Sequence, residues 1–262
     1  MRFTKMHGLG NDYLYVYGEV PENIAELSIK LSDRHFGAGS DGMIYISPSE
    51  AADFKMRIFN ADGSEAKMCG NGIRCVGKYV YDKGYTNKTE ITVETLSGIK
   101  TLKLNVKDGK VFEAAVQMGK AEAKPERRLF ANSESIIYTP VSVGNPHAVV
   151  FTENAEEVPL ETLGASIERH PDFPDGVNVE FVQVLSENRL RMRVWERGSG
   201  ITMACGTGSC ASVAAAVQKG FCRAGDTVEV ALDGGTLKIS VNKEGFVLMT
   251  GPAETVYEGE TV

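Results

Sequence analysis

The chain has 262 residues, 42% of them hydrophobic and 24% charged, with a net charge of −7 and a pI near 5.3. This is the composition of an ordinary globular protein with a sizeable core, and its acidity argues against nucleic acid or an anionic membrane surface as the main partner. No apolar run approaches a bilayer span, the opening "MRFTKMHGLGND" has no secretory h-region, and five cysteines read as the reduced thiols of a cytoplasmic protein.

In chain order, "YLYVY" (13–17) carries the aromatic and β-branched residues of a strand. "ENIAELSIKLSD" (22–33), with Ile24, Leu27 and Leu31, has helical spacing. "FKMRIF" (54–59) predicts a second strand, and the segment after "KMCGNG" (67–72) a helix stopped by Gly84. The same order then returns. "LETLGASIERH" (160–170) is helical by Leu160, Leu163 and Ile167, "LRMRVW" (190–195) is a strand, and a helix follows "MACGTG" (203–208) as far as Gly220. That last helix, "SCASVAAAVQ", is apolar almost all round and is expected to be buried on every side.

The recurrence is a duplication. Residues 54–84 lie over 190–220 without a gap, at the offset that separates Cys69 from Cys205. "GNDYLYVY" (10–17) matches "GNPHAVVF" (144–151), "DRHFGAGSDGM" (33–43) resembles "ERHPDFPDGV" (168–177), and "EITVETLSG" (90–98) resembles "TVEVALDGG" (227–235). Four matches in one order define two halves of one ancestral unit. The expected fold class is α/β, of the mixed α+β kind: two pseudo-twofold-related domains, each a strongly curved, mainly antiparallel sheet around a central helix. The domains are expected at 1–118 and 119–249, with the tail from about 250 to 262 packing back on the first.

Each half sets a cysteine directly before Gly-x-Gly at the mouth of a helix. A metal site fits poorly, because C-x5-C (69, 75) and C-x4-C (205, 210) turn the sulfurs of each helix away from one another. The loops lack the Lys-Ser/Thr of a P-loop and the third glycine of a dinucleotide fold, so they suit a simple anion rather than a nucleotide. Cys75, Cys210 and Cys222 read as small core hydrophobes. Cys69 and Cys205 could likewise be buried thiols inherited with the duplication. Their position at a helix N-terminus, which lowers a thiol's pKa, favours chemistry instead. Two such thiols at equivalent points of a pseudo-twofold repeat would face each other across the interface, one removing a proton from a bound carbon and the other delivering one to its opposite face. The glycine loops would direct amides at the substrate carboxylate.

"NADGSEAKMCGNGIRC" (60–75), "ERGSGITMACGTGSCA" (196–211), "GLGNDY" (8–13), "GNPH" (144–147), "GVNVEF" (176–181) and "GPAETVYEGE" (251–260) together resemble the diaminopimelate epimerases over nearly the whole chain. The resemblance implies a pyridoxal-phosphate-independent epimerase, without cofactor or metal, interconverting LL- and meso-2,6-diaminopimelate on the way to lysine and peptidoglycan precursors. It makes Cys69 the proton donor and Cys205 the acceptor in the LL-to-meso direction. It assigns the α-carboxylate to the amides of Gly70–Asn71 and Gly206–Thr207. The distal carboxylate and amine fall to Asn60, Asn178 and a buried Arg197, helped by Asn11 and Asn145. Glu196 would pair with the reacting ammonium, His147 would support the site, and Tyr257 would lie at a homodimer contact. Some members of that family carry Gln where this chain has Gly42. The rival readings are a racemase of smaller amino acids, which would not need Arg197; a binding protein for a dicarboxylic amino acid, which would need neither thiol; and a zinc-stabilised module.

Overall fold

The computed structural model describes residues 1–261. The chain divides into two units: unit 1 is Met1–Val116 with the segment from Thr250, and unit 2 is Gln117–Met249.

Unit 1 begins with antiparallel strands β1 (Arg2–Gly8) and β2 (Asn11–Tyr17), followed by helix α1 (Ile24–Ser32). Strands β3 (Gly42–Ser47), parallel to β2, and β4 (Phe54–Asn60), antiparallel to β3, come next, with a short β5 (Glu65–Ala66) beside β4. Helix α2 (Gly70–Asp82) then leads into a meander of β6 (Glu90–Thr95), β7 (Gly98–Lys107) and β8 (Lys110–Lys120). Alternation of buried Phe54, Met56 and Ile58 in β4 fixes which face meets the core, since a one-residue slip would expose all three. Helix α2 is buried from Gly70 through Val80. A Cβ at Gly77 would lie 2.6 Å from Leu104 Cδ2, so glycine there is what lets the helix approach the sheet. Gly42 has φ +153°, and a Cβ on it would sit 2.1 Å from the Phe59 carbonyl oxygen. On this backbone a side chain at position 42 would have to displace the Phe59–Asn60 backbone.

Unit 2 repeats the plan. After β9 (Glu122–Ala123) come the antiparallel strands β10 (Arg127–Ala131), β11 (Glu134–Ser142) and β12 (Pro146–Phe151). A π-helical turn at Leu160–Gly164 runs into α3 (Ala165–Glu168), where one longer helix was expected. Gly164 packs closely on β14, where a Cβ on it would stand 2.6 Å from the Trp195 Cβ. Then follow β13 (Asn178–Ser186), parallel to β12, β14 (Arg189–Glu196), β15 (Gly200–Ile201), α4 (Gly206–Gln218), β16 (Thr227–Leu232), β17 (Gly235–Val241) and β18 (Phe246–Pro252). The alanine-rich α4 is buried along nearly its whole length, against strands that include β11, β12, β13 and β17. Strand β19 (Glu254–Glu260) returns the chain to unit 1, where it pairs with β1, Arg2 opposite Glu260.

The architecture is therefore a mixed α/β fold with a duplicated unit, each unit a mainly antiparallel sheet packed on one long buried helix. No helix among the described residues is long and apolar enough to cross a membrane.

Candidate active site

Cys69 is the residue that caps α2. Its backbone is extended, with φ −135° and ψ 118°, and its sulfur accepts the Gly72 N–H at 3.3 Å. Cys205 caps α4 in the same way, with φ −116° and ψ 111°, and accepts the Gly208 N–H at 3.3 Å. Both sulfurs stand at the positive end of a helix, next to the first-turn amides of Gly70–Asn71 or Gly206–Thr207. The remaining thiols differ. Cys75 lies wholly inside unit 1, where burial pushes it up to about 11, and Cys222 is raised to about 11 by burial and then by Glu187 and Asp226.

In unit 1 the Cys69 thiol donates to Asn11 Oδ1 at 3.2 Å, while Asn11 Nδ2 donates to Asp41 Oδ2 at 2.8 Å. A carboxylate only accepts, so Asp41 fixes which end of the amide faces the sulfur. Arg34 in turn bridges Asp41 (2.8 Å) and Asp12 (2.9 Å), and Lys5 meets Asp12 at 2.8 Å. Burial alone would raise the Asp12 carboxyl, but the hydrogen bonds and charges of Arg34 and Lys5 outweigh it and hold Asp12 low. Tyr13 completes the cluster. Burial and then the nearby Cys69 push its hydroxyl well above the usual phenol range. Behind the cap, the fully buried Arg74 donates to Gly70 O at 3.0 Å and to Asn71 Oδ1 at 3.0 Å, holding the Asn71 side chain. Asn60 stands at the end of β4 and donates to Ser64 Oγ at 3.0 Å.

Unit 2 surrounds its thiol with other chemistry. The Cys205 sulfur lies 3.6 Å from Thr207 Oγ1, which accepts from Asn145 Nδ2 at 3.3 Å. Asn145 Oδ1 faces His147 Nε2 at 3.1 Å, and His147 Nδ1 meets Glu180 Oε1 at 2.6 Å, both side chains fully buried. Glu196, at the end of β14, accepts from Thr202 at 2.5 Å, and burial raises its carboxyl against that hydrogen bond. The expectation that the helix end would lower the thiol pKa fails at Cys205. Burial, then Glu196 and Glu180, push it well above the ordinary thiol value, outweighing the Gly208 N–H and Thr207.

Asn178 is anchored to backbone: its Nδ2 donates to the Pro146 carbonyl at 2.9 Å and its Oδ1 accepts the Arg197 N–H at 3.1 Å. The Arg197 side chain is exposed, not buried as expected, and donates to the Asp175 carbonyl at 3.2 Å. It lies over Gly176, where a Cβ would come within 3.0 Å of Arg197 Cγ and Cδ. Tyr257 is 39% exposed, packs edge-on against Phe3 and donates to the Ala38 carbonyl at 3.0 Å.

Within unit 1 the structure thus gathers Asn11, Cys69, Gly70 and Asn71, and within unit 2 Asn145, His147, Glu196, Cys205, Gly206 and Thr207. Sequence reasoning missed Tyr13, Asp41, Arg34 and Glu180. Two of these sit inside the quoted motifs "GLGNDY" and "GVNVEF", and one-sidedness was the available signal: Tyr13 lies opposite His147 in the repeat.

The family model described as "Diaminopimelate epimerase" matches residues 3–124 and 139–256. A diaminopimelate epimerase of Acetivibrio thermocellus is 54% identical, over 99% of this chain and 98% of the relative, and one of Methanococcus maripaludis is 52% identical over 99% of each. In fold, the chain is similar to a PhzF-family phenazine biosynthesis protein of Bacillus anthracis, with TM-score 0.77 at 18% identity, covering 100% of this chain and 99% of that one. A hydroxyproline epimerase of Agrobacterium vitis gives TM-score 0.75 at 18% identity, over 99% of this chain and 91% of the other.

Proposed function

The chain belongs to the diaminopimelate epimerase family, and from that premise we propose how its residues share the reaction. It is a cofactor-independent isomerase interconverting LL- and meso-2,6-diaminopimelate, a step toward lysine and peptidoglycan precursors.

An α-proton of an amino acid is weakly acidic, so its removal needs a base on one face and stabilisation of the resulting carbanion. In the LL-to-meso direction Cys205 takes the proton as thiolate. The negative charge spreads into the α-carboxylate, held by the amides of Gly70–Asn71 and Gly206–Thr207. Cys69 then gives its thiol proton to the opposite face, and the configuration inverts. The products are the inverted substrate, a Cys205 thiol and a Cys69 thiolate, so the reverse reaction exchanges the roles. Glu196 pairs with the reacting ammonium, and His147 supports Cys205. Asn60, Asn178 and Arg197, with Asn11 and Asn145, hold the distal zwitterionic centre. Arg is the side chain suited to gripping a second carboxylate bidentately.

The observation that carries this reading is the double cap: a thiol at the N-terminus of each of two repeated helices, each accepting the N–H of the glycine three residues on. A binding protein would need neither sulfur. Incubation with LL-diaminopimelate in deuterated water, without added cofactor, followed by chiral analysis tests it. Meso product carrying deuterium at the inverted carbon is expected. Meso product without deuterium would refute exchange through thiols.

The chain also acts, in this reading, as a cytoplasmic homodimer with Tyr257 at the contact. Sedimentation is expected to give a dimer that shifts toward monomer in Tyr257→Ala. A parent that is monomeric at micromolar concentration would remove the contact.

A further inference from the structure

Glu180 has no part in the proton transfer above, yet it is a wholly buried carboxylate whose Oε2 is without a hydrogen-bond partner in the described structure. A buried anion in that state is costly unless an opposite charge stands beside it. His147, at 2.6 Å, is the group placed to supply that charge. The carboxylate accepts, so Nδ1 carries a proton. With Asn145 turned so that its Nδ2 meets Thr207 Oγ1 and its Oδ1 meets the ring, Nε2 is a donor as well. The hydroxyl hydrogen of Thr207, not needed by the amide, is left for the Cys205 sulfur.

We propose that Glu180 is a positioning residue: by keeping both ring nitrogens of His147 as donors, it directs the chain His147–Asn145–Thr207 so that Cys205 receives a hydrogen bond and is favoured as thiolate. The duplication supplies the contrast. At the equivalent asparagine, Asp41 turns the Asn11 amide the other way, and Cys69 meets an acceptor for its S–H. The hydrogen-bond chain thereby favours proton acceptance at one thiol and donation at the other, against the Glu196 carboxylate, which also takes a hydrogen bond from Cys205. Without Glu180, a singly protonated His147 reverses the unit 2 chain: Asn145 flips, Thr207 donates to it, and Cys205 becomes the donor. The hydrogen-bond chain works against the burial and the Glu196 and Glu180 charges at Cys205, and Glu196 is the group that an incoming ammonium neutralises.

This inference rests on Cys205 being an acid/base thiol, and its test separates the two. Alkylation of the full-length protein by iodoacetamide across pH, with Cys205 and Cys69 quantified in the same digest, reads the thiolate fraction of each. Glu180→Gln and Thr207→Val are both expected to raise the Cys205 midpoint by about one pH unit, which makes its thiolate roughly tenfold scarcer and its alkylation at neutral pH about tenfold slower. Cys69 should be unchanged, and kcat should fall more than KM rises. Thr207→Val removes no charge, so it serves if Glu180→Gln does not fold. A lowered Cys205 midpoint in Glu180→Gln, the response to losing a bare negative charge, overturns the proposal. So does an unchanged midpoint in Thr207→Val. Full activity in Cys205→Ala would instead refute the proton-transfer role itself.

Discussion

The two caps are nearly superimposable in local geometry and opposed in their surroundings. Each cysteine has extended backbone, accepts an amide from the glycine three residues on, and opens a buried thirteen-residue helix. Strand pairing sets the equivalences around them: Leu14 lies beside Met43 as Ala148 lies beside Val179, so Ile44 occupies the place of Glu180 and Tyr13 that of His147. A Cβ on Gly72 would meet Ile44 Cδ1 at 2.7 Å, and one on Gly208 would meet Glu180 Oε1 at the same 2.7 Å. Duplication preserved the scaffold that holds a thiol at a helix end, and divergence changed the partners. In the reaction proposed above, one direction uses an acceptor on one face of the carbon and a donor on the other, and the reverse direction exchanges them.

The largest effect expected is at the caps. Cys69→Ala and Cys205→Ala should each abolish epimerisation with folding retained, a loss at or beyond the roughly 10²- to 10⁴-fold ascribed to a positioned acid or base. Cys75→Ala, assayed alongside, should keep most activity, and an equally dead Cys75→Ala would reverse the assignment. Next comes Arg197→Met. Losing a charge-assisted contact is worth about 1.5–3 kcal/mol, or roughly ten- to a hundredfold in affinity, and the exposure of Arg197 places the expectation at the lower end. Steady-state kinetics on diaminopimelate and lysine are the check, with lysine a negligible substrate of the parent.

Smaller still is the contrast between two glycines. Gly72→Ala displaces the flexible ends of Ile44 and Met56, and helix propensity favours the change. Gly208→Ala pushes on a carboxylate held by His147, and should cut activity about five- to tenfold where Gly72→Ala leaves it near the parent's. The smallest effect is thermal. Burial raises the Glu196 carboxyl, so folding binds its proton more tightly than unfolding does, and stability falls as pH rises through the window above the ordinary carboxylate value. Glu196→Gln should therefore melt a few degrees higher than the parent at pH 7 and equally at pH 4, while losing activity. Calorimetry showing the same difference at both pH values would dissociate the effect from ionisation.

Periodicity and repetition made the fold legible in the sequence. The gapless match around Cys69 and Cys205 gave both buried helices and their glycine stops, because duplicated chains keep the positions that pack. The π-helical turn at Leu160–Gly164 was not legible, since helical spacing does not distinguish it from an α-helix and its packing on Trp195 lies 31 residues away in sequence. At the site the caps were visible, and the polar groups behind them were not. Glu180 lies in a strand whose neighbours read as core, and only the parallel pairing of β12 with β13 puts it beside His147. Arg197 was expected to be buried because its chemistry suits a buried partner. Its position after the end of β14 leaves it exposed.

Strand β19, paired with β1 across almost the full length of the chain, has a consequence for synthesis. Unit 2 is contained between two parts of unit 1, so every residue of it from Gln117 to Met249 is made before the closing strand of unit 1 exists. A ribosome adding about 5–20 residues per second therefore synthesises the second unit while the first still lacks a strand. During that interval β1 has an open edge, with Phe3 and Met6 awaiting their cover, and it is closed only once Glu254–Glu260 have been made. The older repeat in sequence order is thus the later to finish folding, and truncation of a few terminal residues would strike the half that carries Cys69 while sparing the half that carries Cys205.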